Sequence, residues 1–195
     1  MNKIPAKEKV IDATIQLMTT RGFNATTVDD IASQAGVAKG SVYHAFKSKE
    51  EIAIASLEHY LESGLKIVSD GPYAEIQDPV EKAIAFVSYI EDRSQELWSH
   101  GCLLGSMAIE IGDTYPSVMD QIDRMFKRFE RGLANIFAPA LAARAVVGVT
   151  SRDLSLHLLA VVEGSIITAK SHSEPQYLQH GIRHFRNYLE LLLSK

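Results

Sequence analysis

The chain has 195 residues, 46% of them apolar and 23% charged, a balance that suits a packed globular core and excludes a disordered or low-complexity polymer. A single cysteine, Cys102, excludes an internal disulfide framework. The first residues, MNKIPAKEKV, lack the apolar core of a signal peptide, and no apolar run is read as approaching the roughly 18 residues that span a bilayer, so a cytoplasmic protein without a membrane partner is expected. The net charge of −4 is unevenly placed: residues 1–50 carry seven Lys/Arg against five acids. A mildly basic head on an acidic remainder suits contact with phosphate at one end.

Helical periodicity dominates and strand alternation is nearly absent, so the chain reads as all-α with about nine helices. The first covers 7–21, with Val10, Ile11, Thr14, Leu17 and Met18 on its inner stripe and Gly22 at its end. The second covers 28–35, capped by Thr27 and followed by Gly36; the third covers 39–46. The fourth starts at Ser48, where Glu51 completes a capping box, and runs to about residue 69. Asp70-Gly71-Pro72 breaks the chain, and Asp78-Pro79 opens a fifth helix to about residue 94. The sixth covers about 101–111, the seventh 117–138 and the eighth 151–170; the ninth opens at Glu174-Pro175 and ends near Leu193.

Residues 27–46 hold the most specific pattern, two short helices joined by a tight turn, Ala35-Gly36-Val37, the helix-turn-helix arrangement. Ile31, Ala32, Val42 and Phe46 are placed inward. The opposite face of the second helix offers Lys39, Gly40, Ser41, Tyr43 and His44. This set suits duplex DNA: Lys39 reaches phosphate or a guanine edge, Gly40 permits close approach, and the polar tips of Ser41, Tyr43 and His44 suit base edges and phosphate oxygens. Lys49 and Thr27, each at a helix start, add phosphate contacts on either side. Two amphipathic helices with a glycine turn also occur in many all-α proteins that bind no DNA, so this geometry alone leaves both readings open.

The segment RGFNATTVDDIASQAGVAKGSVYHAFKSKEE, with Arg21-Gly22-Phe23, Thr26-Thr27-Val28, Ala35-Gly36-Val37, Lys39-Gly40-Ser41, Tyr43, Phe46 and Lys49-Glu50, resembles the N-terminal domain of TetR/AcrR-type repressors. The resemblance implies a three-helix DNA-binding head over 1–47 and a ligand-binding, dimerising body over 48–195. It also implies a DNA interface of Thr27, Lys39, Ser41, Tyr43, His44 and Lys49. Ala38 departs from the family pattern, which often has a small hydroxyl residue there. Gly101-Cys102-Leu103-Leu104-Gly105-Ser106, with Glu110 later, is similar to one helix of a subgroup that includes electrophile-responsive repressors. The implied function is a transcriptional regulator, a repressor released from a palindromic double-stranded operator by a small-molecule effector or thiol modification, and not an enzyme.

In the body, Phe86, Tyr89, Trp98, Met107, Met125 and Phe129 either line an adaptable effector pocket or form ordinary core. His157 is a ligand contact or a paired polar group. Cys102 is a sensor thiol or an inert small hydrophobe. Helices eight and nine carry the apolar stripes Leu154, Leu158, Val161, Ser165, Ile166 and Leu178, Ile182, Phe185, Leu189, Leu192, which are expected to form a homodimer interface as a four-helix pairing. His180 and His184 lack a third ligand, so no metal is expected, and no cofactor motif or catalytic set is recognisable.

Overall fold

The computed structural model of the chain describes residues 5–98 and 100–194. Among them are ten α-helices and no strand: α1 (Ala6–Arg21), α2 (Val28–Ala35), α3 (Lys39–Ala45), α4 (Lys49–Asp70), α5 (Pro79–Asp92), α6 (Ser94–Trp98), α7 (Leu103–Ile111), α8 (Pro116–Ala143), α9 (Ser151–His172) and α10 (Gln176–Leu193). The all-helical class stands. The additional helix arises because Arg93 leaves helical geometry (φ −98°, ψ 6°) and ends α5 before α6 begins at Ser94. The helix expected to stop at residue 138 continues through Pro139 to Ala143. Proline removes one backbone donor there, but Phe137, Ala140 and Leu141 on either side are buried and hold that last turn in place.

The chain packs as two units, residues 1–63 with 100–126, and residues 64–99 with 127–195. These packing units do not divide at 47/48: α4 up to residue 63, all of α7 and α8 up to residue 126 fall in the first. In the first unit, Val10, Leu17 and Met18 of α1 are buried, as are Ile31 and Ala32 of α2, Val42 of α3, and Ile52, Ala53 and Leu57 of α4. Leu103, Leu104, Met107 and Ile111 bring the apolar face of α7 into the same unit.

The second unit is organised around α10, which packs against both α9 and α5. Asp78 starts α5 by accepting the N–H groups of Val80 and Glu81 at 2.9 and 2.8 Å. Thr150 and Asp153 form a capping box that starts α9. Leu154, Leu158 and Ile166 of α9, and Leu178, Ile182, Phe185 and Leu189 of α10, are buried within the chain. These seven residues of the two expected stripes are part of the core of this unit, whereas Val161, Ser165 and Leu192 of the same stripes are only half-buried. Periodicity finds an apolar stripe without saying which neighbour covers it.

One further expectation is corrected. α9 is long and apolar enough, by length and composition, to cross a membrane, with a mean hydropathy of 1.2 over its 18-residue window. The same helix carries Arg152, Asp153, Glu163 and Lys170 and packs on α10.

Candidate nucleic-acid interface

The turn between α2 and α3 sets the reading helix. Gly36 adopts the left-handed conformation (φ 63°, ψ 38°), and the Val37 N–H returns to the Ala32 carbonyl at 3.0 Å. A Cβ at Gly36 would meet nothing within 4 Å, so glycine is required by backbone conformation and not by space. The reversed chain then enters α3 at Ala38, which gives no side-chain cap.

α3 is seven residues long and has one buried side. Val42 is 0% exposed and Phe46, just past the helix end, is 3% exposed. Lys39, Gly40, Ser41, Tyr43 and His44 are all exposed, Tyr43 at 51%. Five candidate contact residues therefore form one solvent-facing row, propped from behind by two apolar anchors four positions apart.

Lys39, at the start of this row, is engaged with an acid of α2. The Lys39 ammonium donates to Asp29 Oδ2 at 2.9 Å and lies 2.8 Å from Oδ1. That hydrogen bond raises the Lys39 pKa above its ordinary value. Thr27 is exposed, but its hydroxyl and its N–H both donate to Asp30 Oδ2, at 2.5 and 2.9 Å, while its oxygen accepts the Asp30 N–H at 3.1 Å. The hydroxyl and backbone bonds from Thr27 hold the Asp30 carboxyl below the usual carboxylate range. Thr27 is thus the cap of α2, with both donors satisfied internally.

Lys49 is placed differently from the other candidates. Its ammonium turns inward, donating to the Phe23 carbonyl at 3.0 Å and lying 4.2 Å from the centroid of the Phe23 ring. Burial lowers its pKa, and nearby Glu110 and Glu50 oppose that shift. The structure therefore sets Lys49 apart from the α3 row and ties it to the turn between α1 and α2. The capping box at the start of α4 also differs in detail: Ser48 Oγ accepts the Glu51 N–H at 3.2 Å, but Glu51 reaches back to the Lys47 N–H at 2.6 Å.

The ligand candidates divide between the units. Cys102, Met107 and Met125 are buried in the first, where Cys102 precedes α7 without capping it by its side chain. In the second, Phe86 is 1% exposed, edge-on to Tyr73 and Phe137 at ring-centroid distances of 5.1 and 6.3 Å. The Tyr89 hydroxyl accepts from Arg93 at 3.0 Å. Phe129 lies beside Gly64, with no room for a Cβ between them. Trp98 lines a cavity of about 350 Å³ with Gln95, Ile166, Lys170, Pro175 and Leu178. His157 is exposed on the open side of α9 and α10, edge-on to Phe185 and Tyr188. Sequence reasoning missed the second unit's ion network, in which buried Glu91 accepts from Arg183 and Arg186, each at 2.8 Å.

A short helix with a solvated polar row, set by a glycine turn on two supporting helices, is a helix-turn-helix arrangement. The model of bacterial regulatory proteins of the tetR family matches residues 10–55, and that of the tetracyclin repressor-like C-terminal domain matches residues 79–185, so the chain belongs to the TetR family of DNA-binding transcriptional regulators. It is similar to the transcriptional repressor DhaR of a Mycobacterium species, with 25% identity over 160 residues covering 82% of this chain and 77% of that protein. Among solved structures, regulatory protein TetR from Rhodobacter sphaeroides superposes with a TM-score of 0.81 at 24% identity, covering 93% of this chain and 97% of that one. NemR of Escherichia coli in its reduced form superposes at 0.79 with 20% identity, covering 94% and 96%. The family consists of transcriptional regulators, not enzymes.

Proposed function

We propose that the chain is a homodimeric repressor that holds a palindromic operator through Lys39, Gly40, Ser41, Tyr43 and His44, with Thr27 and Lys49 supporting that row. The observation that carries this reading is the exposed row on α3 above the fully buried Val42 and nearly buried Phe46. The Lys39–Asp29 pair is exposed on both sides, 53% and 67%. Pairs of this kind are weak, so a phosphate displaces Asp29 readily. Residues 1–47 serve as the reading head and 48–195 as the effector and dimer body, in a cytoplasmic protein.

Two copies are needed to present heads to half-sites about 34–36 Å apart. The outward side of α9 and α10 supports this pairing. Leu156, Ala160, Gly164 and Ile167 share one face of α9, and Tyr177, Gly181, His184, Tyr188 and Leu191 share one face of α10. Of these, Leu156, Ile167, Tyr177, Tyr188 and Leu191 are exposed large apolar or aromatic groups. Small residues between them line a groove of about 410 Å³ that admits a facing helix.

Release follows when a small molecule binds the body better in a form that misplaces the heads. Trp98 supports this role most directly, since its cavity is within the range that takes small ligands. Cys102 is 8% exposed, which favours a small effector over thiol modification as the signal.

The test is gel retardation with the DNA upstream of the protein's own gene. Wild-type binding should fall steeply with salt as condensed counterions are released. The Lys39→Ala, Tyr43→Ala double variant should lose roughly tenfold or more in affinity and flatten the salt slope by about one. Unchanged binding by the double variant removes α3 from the interface.

A further inference from the structure

The turn after α1 is held by a residue almost ninety positions further along the chain. Gly22 turns the backbone at φ 85°, a conformation that favours glycine. The next two N–H groups then converge on one carboxylate: Phe23 N–H donates to Glu110 Oε2 at 2.6 Å and Asn24 N–H to Oε1 at 2.7 Å. A Cβ on Gly22 would overlap that carboxylate. Each Glu110 oxygen thus takes one backbone donor, a charge-assisted and bidentate arrangement.

The same peptide is gripped from its other side. The Phe23 carbonyl accepts from Lys49 at 3.0 Å, and the fully buried Phe23 ring meets Tyr115 edge-on at 4.8 Å. The Thr26 hydroxyl donates to the Gly22 carbonyl at 2.7 Å, and Thr27 caps α2 directly afterwards. Glu110 is the second-last residue of α7, and α7 lies in the same packing unit as the head.

We propose that Glu110 is a positioning residue for DNA recognition, a carboxylate latch by which α7 fixes the turn between α1 and α2 and, through the α2 cap, the register of the reading helix. A displacement of α7 pulls on Phe23 and Asn24 through these two bonds. Glu110 touches no DNA; it decides where the α3 row is held. This role rests on the DNA-binding reading given above.

The experiment uses the full chain and a duplex enriched by the wild-type protein from a random-sequence pool. Glu110→Gln is nearly isosteric, keeps one acceptor and turns the other into a donor facing an N–H. It is expected to weaken the enriched duplex about tenfold, to speed amide exchange at Phe23 and Asn24, and to leave weak binding to an unselected duplex within about twofold, because phosphate attraction does not depend on register. Glu110→Asp keeps the charge but is one methylene short. It is expected to show a smaller loss of the same kind, and it serves as the decisive variant where the amide does not fold.

Two results overturn the proposal. One is enriched-duplex affinity within twofold of wild type in both variants. The other is equal loss on enriched and unselected DNA in step with lost helix content, the mark of a merely structural residue. If the wild-type protein enriches no duplex at all, the DNA-binding reading falls and the positioning role falls with it.

Discussion

Exchanging Glu91 for glutamine probes the ion network that joins α5 to α10. The Glu91 side chain is 5% exposed, while its partners Arg186 and Arg183 are 25% and 45% exposed. A hydrogen bond to a charged group contributes about 1.5–3 kcal/mol. That value applies to the Arg186 bond, which is shielded, but the Arg183 pair faces solvent and is discounted to about 0.2–1 kcal/mol. Arg186 also keeps Glu190 at 2.7 Å after the exchange. The expected loss is therefore about 2–3 kcal/mol, below the 3–5 typical of an orphaned buried charge, or about 4–12 °C in melting temperature for a chain of this length. Burial pushes the Glu91 carboxyl up, but hydrogen bonds from Arg186 and Arg183 outweigh it and hold the pKa below the ordinary glutamate value. A carboxyl depressed in the folded state contributes stability that is complete above its unfolded value and lost as pH falls through the folded one. Urea unfolding at fixed protein concentration should show the full difference between wild type and Glu91→Gln at pH 7, shrinking below the usual carboxylate range. A difference under about 0.5 kcal/mol at pH 7, or one that persists undiminished into acid, refutes the reasoning.

Two further outcomes follow from exposed groups. Ile167→Glu places a charge on a side chain 53% exposed in the single chain, so helix content should be retained while sedimentation equilibrium shows dissociation at concentrations where the wild type is dimeric; an unchanged dimer removes α9 from the interface. Asp29→Asn frees the Lys39 ammonium and removes a negative charge beside α3, so DNA affinity at low salt should rise several-fold, the gain fading as the screening length shrinks; unchanged or weaker binding refutes the exchange of Asp29 for phosphate.

The head was legible in the sequence because its determinants are local. The capping box of α2 lies within four residues, the Gly36 turn within three, and the two sides of α3 follow from helical spacing over one short segment. What escaped is what depends on distant partners. Lys49 is a basic residue at a helix start, and nothing nearby in sequence shows that its ammonium turns to a carbonyl 26 positions earlier. Glu110 stood out only through the subgroup resemblance; its bonds span 87 and 86 positions. In α9 and α10 the periodicity was visible but its assignment was not, because both helices carry apolar residues on two sides. The stripe of Leu154, Leu158 and Ile166 proved to be core, leaving Leu156 and Ile167 facing outward. The continuation through Pro139 reflects packing overriding local propensity.

The internal pairs around the head also explain how a chain of net charge −4 can hold a polyanion. Lys39 faces Asp29, and Arg21 lies 4.0 Å from Asp30, so each of these two basic groups has an acid of α2 beside it in the absence of DNA. Duplex DNA carries one charge per roughly 1.7 Å of axis, a denser anion than a single carboxylate, and the solvent-exposed pairs are the ones it can replace. Lys49 is not such a pair: it is partly buried, its ammonium sits over an aromatic face, and its carbonyl partner belongs to the main chain. Moving it onto phosphate would release the Phe23 peptide that Glu110 holds from the other side. On the proposed reading the two lysines of one motif divide the work, Lys39 exchanging its partner for phosphate and Lys49 keeping its own so that the row carrying Lys39 stays in place.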